Sequence, residues 1–168
     1  MQDSREEANA AFESANTSID QHNQLFAEAR DTYEAVKENI EAGDNPDGQR
    51  EDIVRAREDL QEARGHLQEA SDELSPISEM NVDEPVREYA RTFSRAVDQQ
   101  LAAEATEIEF YELLEENPSL DGSRDEALSL LEEVGNGYAS AEEEYGRAQQ
   151  LANDNSDIIS PTSSGNTG

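Results

Sequence analysis

The first forty residues carry a heptad pattern that leaves the chain few folds to choose from. Large apolar residues recur every seven positions, at Phe12, Ile19, Phe26, Tyr33 and Ile40. The complementary position of each heptad is filled by Ala8, Ala15, His22, Ala29 and Val36. Alternating steps of four and three residues place both sets on one face of a helix. The pattern predicts a long amphipathic helix over residues 3–42, ended by the turn residues at 43–48.

A second segment has the same heptad pattern, with leucine and alanine at most of its seam positions. Large seam residues alternate with small ones, which lets two helices approach closely while their side chains interdigitate. Pro76 is predicted to end this helix. The large positions are Ile53, Leu60, Leu67 and Leu74, and the small ones are Ala56, Ala63 and Ala70.

Two more amphipathic segments follow, over residues 84–116 and 124–153. Asp83 is the predicted N-cap of the third helix, with Pro85 in its first turn, and Ser123 is the predicted N-cap of the fourth. The third stripe takes several consecutive steps of four and is predicted to drift around the helix, through Val86, Ala90, Phe93, Val97, Leu101, Ala105 and Ile108. The fourth stripe is Ala127, Leu131, Val134, Tyr138, Ala141, Tyr145, Ala148 and Ala152.

Four long helices joined by short links predict the fold class. We expect an all-α, antiparallel, up-down-up-down four-helix bundle that forms a single domain over residues 1–153. The closing stretch, residues 154–168, is rich in Ser, Asn, Gly and Thr, and it is predicted to be a disordered tail.

The charge of the chain is strongly one-sided. Asp and Glu number 41 against 12 Lys and Arg, the net charge is −29, and Lys37 is the one lysine. Such a surface argues against binding to nucleic acid, because phosphates would be repelled. Dispersed acidity with almost no lysine is typical of proteins from extreme halophiles, in which concentrated salt screens self-repulsion and strengthens apolar burial. The charge therefore indicates adaptation to the solvent, and a nucleic-acid mimic is disfavoured.

The heptads also carry a family resemblance. The runs Phe26-Ala27-Glu28-Ala29-Arg30, Gly43-Asp44 and Arg55-Ala56-Arg57-Glu58-Asp59-Leu60-Gln61-Glu62-Ala63 resemble those of uncharacterised haloarchaeal acidic helical-bundle proteins, over about residues 5–152. In many of those a leader or lipid anchor precedes the bundle, which implies an extracytoplasmic, envelope-tethered location. The sequence begins at Met1 without a leader, so we expect that location if a leader was removed and a cytoplasmic one otherwise. As written, it predicts no direct membrane insertion.

An interior polar site is the first candidate functional feature. His22 lies on the seam of the first helix among Phe and Ile, and we interpret it as a polar core residue bonded to a neighbour, with a ligand role as the alternative. The fourth helix contains Gly135, Gly137 and Gly146, which mark either a kink that opens a pocket beside Tyr138, or a close helix contact or tolerated weakness. Neither histidine is preceded at three residues by Glu, so the carboxylate-bridged di-metal signature is absent. No metal or other cofactor is predicted.

An apolar cluster near the link between the third and fourth helices is the second candidate. Its members lie off the main seams, and they form either a local mini-core under the turn or an exposed patch for a partner or a second copy. The cluster consists of Phe110, Leu113, Leu120 and Leu130.

Two functions from different classes follow. The first is a non-catalytic structural or interaction domain of a halophile, associated with the envelope, whose partner is another protein or a second copy. The alternative is a bundle that binds a small ligand or a metal near His22 and Tyr138.

The loop at 117–125 has some oxygen ligands at calcium-loop spacing, but it begins with Asn117 and has Leu128 where a bidentate Glu belongs, which favours an ordinary turn.

Overall fold

The computed structural model describes residues 2–159 and confirms the all-α four-helix bundle. Two short 3-10 helices, at Asp47–Gln49 and Ser75–Glu79, lie in the links on either side of the second helix. Residues 2–159 contain no strand. The main helices are α1 Gln2–Glu41, α2 Arg50–Leu74, α3 Glu84–Glu116 and α4 Arg124–Asp154.

Contacts at the helix ends show the up-down-up-down order. Arg5, near the start of α1, bonds to Asp83 just before α3, with Nη2 and Oδ2 2.5 Å apart, so α1 and α3 run parallel. Arg124 at the start of α4 donates to the carbonyl of Ile40 at the end of α1 at 3.1 Å, so those two helices are antiparallel. The α1–α2 and α3–α4 hairpins are closely packed, and the backbones of α1 and α4 approach each other least closely of the four neighbouring pairs.

The core consists of two apolar halves separated along the bundle axis. In one half Phe12 packs edge-on against Tyr89, with ring centroids 4.7 Å apart. In the other, Tyr33 packs edge-on against Phe110 at 6.0 Å. His22 is fully buried and belongs to neither apolar half. At the junction of the two halves, therefore, a polar side chain interrupts the apolar packing of the interior.

The predicted α3 stripe is buried at six of its seven positions. Within the wider buried face of α3, one row keeps alternating steps of four and three to the end of the helix, and it includes the polar residues Gln100, Glu104 and Glu107. The row is Val86, Ala90, Phe93, Val97, Gln100, Glu104, Glu107, Tyr111 and Leu114. Ala105, assigned to the stripe from its apolar character, is only half-buried. Following apolar residues alone finds the buried Leu101 and Ile108 but misses the polar side chains that enter the core beside them.

Neither predicted N-cap side chain bonds to its own helix. The Asp83 carboxylate accepts from Arg5 instead, and the Ser123 hydroxyl oxygen accepts from Asn117 Nδ2 at 3.0 Å. Both residues still occupy the position before the first helical residue, and Pro85 is in the first turn of α3 as predicted. The two side chains tie segments together where local capping was expected.

The ordered part of the chain extends beyond the predicted boundary at residue 153. Asp154 belongs to α4, and a turn follows in which Ile159 is 1% exposed within the first apolar half. Asn9 Nδ2 donates to the carbonyl of Ile158 at 3.2 Å and holds this turn against α1. Residues 154–159 are thus corrected to part of the bundle, while the rest of the predicted tail lies outside the described residues.

Candidate functional site

Four buried polar side chains lie between the two apolar halves, and we call them the polar layer: His22, Gln100, Glu104 and Glu107. One comes from α1 and three come from the α3 seam, and each is at most 1% exposed. α4 contributes tyrosine hydroxyl groups to this layer, whereas the buried residues of α2 are all apolar. Burying polar groups costs free energy unless they are hydrogen-bonded, so their partners decide what the layer can do.

His22 and Glu104 form a buried ion pair between α1 and α3. His22 Nε2 lies 2.5 Å from Glu104 Oε2, and Nδ1 lies 2.9 Å from Asn23 Oδ1. Both ring nitrogens therefore face oxygen acceptors, which favours the doubly protonated imidazolium. Burial alone would lower the pKa of His22, but the hydrogen bond and the negative charge of Glu104 outweigh it and raise that pKa above 6.5.

Glu107 occupies the centre of a second cluster. Its Oε1 accepts from the Tyr138 hydroxyl group and its Oε2 from the Tyr111 hydroxyl group, both at 2.9 Å. Burial raises the pKa of this carboxyl group from 4.5 to about 7, against the two tyrosine hydrogen bonds and the charge of Arg30, which lower it. Burial also raises the pKa of both tyrosines well above 10, so they act as neutral donors.

Gln100 joins the first cluster to α4. Its Nε2 donates to Glu104 Oε2 at 3.3 Å, and its Oε1 accepts from the Tyr145 hydroxyl group at 2.7 Å. The other carboxylate oxygen of Glu104, Oε1, is buried without a hydrogen-bond partner. The layer thus ties α1, α3 and α4 together but leaves one acceptor unused.

Arg30 covers the layer from the α1–α4 seam. Its guanidinium carbon lies 4.6 Å from the ring centroid of Tyr33, 5.2 Å from that of Tyr138 and 5.8 Å from that of Phe26. Its Nη1 is 3.7 Å from Glu107 Oε1, beyond hydrogen-bond distance, and is buried without a partner. Three ring faces and a carboxylate therefore hold this cation mainly by electrostatic attraction.

The predicted interior site, His22 and Tyr138, lies within one network. His22 stacks on Phe26 at 5.2 Å, and Phe26 meets Tyr138 edge-on at 5.6 Å. The sequence reasoning missed Glu104 and Glu107, the carboxylates that pair with these two residues. The signal that could have found them is the heptad spacing of α3 continued through its polar positions.

The metal alternative has no support from the geometry. Within residues 2–159, no group of three or more His, Asp or Glu side chains is arranged to hold a metal ion. In the 117–125 link Asn117 donates to the carbonyl of Asp121 at 3.0 Å, and Leu120 and Gly122 adopt positive φ. That link is built as a turn around Asn117.

The apolar cluster proves to be the mini-core. Phe110 is fully buried and Leu120 is 2% exposed, while Leu113 and Leu130 are half-buried against the second apolar half. The alternative of an exposed patch is therefore wrong for Phe110 and Leu120. The link folds Leu120, with φ of 59°, back over the helix ends, which sequence spacing could not indicate.

One glycine of α4 marks a close helix contact. A Cβ atom at Gly137 would lie 2.8 Å from Ala103 Cβ on α3, whereas a Cβ at Gly135 would meet nothing within 4 Å. Gly137 therefore sets the approach of α3 and α4 beside Tyr138, and Gly135 does not.

This pair gives a matched test of stability. We expect Gly137→Ala to lower the free energy of unfolding by about 1–3 kcal/mol, because the helices must separate. Gly135→Ala should raise it by about 0.5–1 kcal/mol through helix propensity. Urea unfolding in concentrated potassium chloride measures both, and equal effects of the two substitutions would contradict the close contact.

The titration of Glu107 predicts a pH dependence of stability. Its folded-state pKa of about 7 lies above 4.5, so the folded state binds the proton more tightly than the unfolded state. Protonation of Glu107 therefore contributes to the free energy of unfolding. This contribution is on the order of 3 kcal/mol, is complete below about pH 4.5 and is lost as the pH rises through about 7. Unfolding by urea from pH 5 to pH 8, in salt that screens the surface charge, measures it.

Glu107→Gln is the control for that titration. The difference in unfolding free energy between the native chain and this variant should shrink or change sign across the interval. A constant difference would show that Glu107 does not titrate there. His22 changes in the same direction, because its raised pKa also makes protonation stabilising, but it is present in both proteins and cancels.

A groove of about 780 Å³ lies outside the polar layer, between α3 and α4. Arg91, Arg95 and Arg147 line it, and each is paired with a glutamate: Arg91 with Glu84, and the other two with Glu144. Among these pairs, only Arg95–Glu144 joins α3 to α4, whereas Arg91 and Arg147 pair with glutamates of their own helices.

Comparison with protein-family models, curated proteins and solved structures found no match to this chain. None of the helices in residues 2–159 combines the length and apolar character needed to span a membrane.

Proposed function

We propose that this chain is a non-catalytic structural and interaction domain of a halophile, a rigid helical rod that presents acidic helix faces to its partners. The observation that carries the proposal is the way the interior polar groups are used. His22 bonds to Glu104, Tyr138 to Glu107, and Tyr145 to Gln100, each across two helices. Such bonds specify which helix faces meet and in which register, a use of buried polar groups that is well attested in helical bundles.

The dimensions and the surface support the same role. α1 has 40 residues, which corresponds to about 60 Å at 1.5 Å per residue. Most of the 41 carboxylates point outward, which would keep such a rod soluble and separate in concentrated salt. Attachment at the cell envelope, implied by the family resemblance, is part of this proposal, and fractionation of native cells tests it.

Hydrogen exchange in about 3 M potassium chloride tests the rigidity of the rod. We expect amides near the polar layer to exchange as slowly as those of the two apolar halves, since one cooperative unit opens only globally. Exchange at the polar layer that is faster by orders of magnitude would contradict a rigid module. Phe12 and Phe110 mark segments of the two apolar halves that serve as internal references.

A second candidate, a bundle that binds a small ligand in its interior, is favoured by one specific observation. Glu104 Oε1 and Arg30 Nη1 are both buried without hydrogen-bond partners, in the part of the core that contains His22 and Tyr138. Unused buried donors and acceptors are costly, and a ligand can satisfy them. Loss of a bound ligand on His22→Leu, with the bundle shape kept, would support this candidate over the first.

A further inference from the structure

Arg30 occupies a position that has the features of a cation-binding site. Aromatic rings of Phe26, Tyr33 and Tyr138 surround its guanidinium group within 5.8 Å, and the Glu107 carboxylate lies beneath it. Rings and a buried carboxylate are the combination by which proteins recognise organic cations. We call this position the cation seat.

Arg30 is held in the cation seat without a direct hydrogen bond to it. Its Nη1 has no hydrogen-bond partner, and its side chain is 24% exposed. On the outer side, Nη2 lies 3.2 Å from the carboxylate of Glu34, which is itself 55% exposed. Because Glu34 is one turn along the same helix, Arg30 can turn outward on α1 and keep an ionic partner.

The α1–α4 seam offers the path for that movement. These two helices have the fewest close backbone approaches among the four neighbouring pairs. Arg30 lies on the flank of α1 that faces α4, as its contact with Tyr138 shows. An outward turn of one side chain would therefore connect the cation seat to solvent without moving a helix.

An emptied seat would not remain stable by itself. Glu107 is 1% exposed, and its charge would then lack its nearby cation. A buried carboxylate in that position must bind a proton or another cation. The nearby Glu104 also raises the pKa of Glu107, although its own charge is paired with His22, and its Oε1 has no hydrogen-bond partner.

We propose that the cation seat of Phe26, Tyr33, Tyr138 and Glu107 binds an external guanidinium-type monocation, with Arg30 as the side chain that the ligand displaces. The position already holds a guanidinium group among three rings and a carboxylate, which favours a ligand of the same chemistry. The proposal rests on the second candidate function, since it names the ligand class of that interior site. The ligand is a free guanidinium compound or the arginine side chain of a partner.

Titration of the full-length protein with methylguanidinium, followed by NMR signals of the Tyr33, Tyr138 and Phe26 rings, tests the proposal. We expect saturable shifts with a dissociation constant in the millimolar range, because the ligand competes with an intramolecular group. Urea at equal concentration is the control, since it has the same planar shape without the charge. Glu107→Gln should weaken binding at least about tenfold, and Arg30→Met should strengthen it by at least as much.

The binding should also depend on pH in a defined direction. The titratable groups facing Glu107 are Arg30 and Tyr33 from α1, Glu104 and Tyr111 from α3, and Tyr138 from α4, with His22 paired to Glu104. The buried residues of α2 are apolar. Because a proton competes for the Glu107 carboxylate, affinity for methylguanidinium should rise as the pH increases through about 7.

Several results would overturn the proposal. One is the absence of saturable shifts up to about 50 mM in both the native chain and Arg30→Met. Binding by Arg30→Met alone would overturn it too, because Arg30 would then be a fixed part of the core. Binding that Glu107→Gln leaves unchanged would place the cation elsewhere. An N-acetylated peptide amide whose one charged group is an arginine separates the sources, since a site for free compounds admits methylguanidinium and excludes the peptide.

Hydrogen exchange distinguishes failure of the cation seat from failure of the proposed structural role. If no cation binds while amides at the polar layer remain fully protected from exchange, the rigid-rod function stands and the cation seat is a structural ion cluster. If the layer exchanges rapidly and no cation binds, both proposals fail.

Discussion

His22→Leu is expected to lower the free energy of unfolding by about 3–5 kcal/mol at neutral pH, a large part of the stability of a domain of this size. The substitution leaves the Glu104 carboxylate fully buried without its cation. Gln100 Nε2, at 3.3 Å, remains as a neutral donor and cannot replace a charge. The cost therefore comes mainly from the carboxylate left behind and only in small part from the removed ring.

The double variant His22→Leu/Glu104→Met separates the two contributions. Removing both charges should bring stability to within about 1 kcal/mol of the native value or above it, because buried ion pairs seldom outweigh their desolvation. Urea unfolding of the four proteins of this cycle gives the coupling energy directly. The surface control is His66→Leu, whose side chain is 29% exposed and which should change stability by less than about 0.5 kcal/mol. A His22→Leu effect as small as the control would refute the buried pair.

Salt is expected to have the other large effect. In dilute buffer of about 0.1 M ionic strength the Debye length is about 10 Å, so neighbouring carboxylates along the rod, which has a net charge of −29, repel one another. At about 3 M potassium chloride the length falls below about 3 Å, and apolar burial is strengthened as well. We expect helix content measured by circular dichroism to rise with salt, and the free energy of unfolding to increase by several kcal/mol.

Two controls separate screening from stronger burial. Sucrose strengthens burial without screening charge, so it should restore helix content only in part. A variant with six exposed carboxylates changed to amides should fold at lower salt, because glutamine has a helix propensity similar to that of glutamate. The six positions are Glu13, Glu28, Glu62, Glu112, Glu132 and Glu142. An unchanged salt requirement, or full folding in sucrose, would contradict charge repulsion as the cause.

Prediction from sequence succeeded where the seam of a helix is apolar. Phe12 and Ile19 on α1, and Leu60 and Leu67 on α2, are buried as their heptad positions indicate. It failed on α3, where Gln100, Glu104 and Glu107 occupy seam positions that hydropathy assigns to the surface. A polar residue can lie either at the surface or in the core, and it lies in the core only where another helix supplies a hydrogen-bonding or charged partner.

The candidate site shows the same limit. His22 was assigned to the core from its register, but Glu104, its partner, is 82 residues away along the chain. Tyr138 was placed near a glycine-bearing region, yet only the packing of α4 against α3 shows that Gly137 contacts Ala103. Leu120 was placed near the helix junction, and the positive φ of the link determines that it is covered.

The sequence by itself determined the number of helices, their lengths and order, and the acidic character of the surface. These follow from local propensity, from the spacing of apolar residues and from net charge, which are properties of neighbouring positions or of the whole chain. Only the tertiary structure decided which polar residues enter the core and how Arg30 comes to lie over three rings and a carboxylate. Those arrangements depend on contacts among α1, α3 and α4. Burying a polar side chain costs free energy that the residue cannot offset by itself, and the helices offset that cost by bringing its hydrogen-bonding or charged partner into contact.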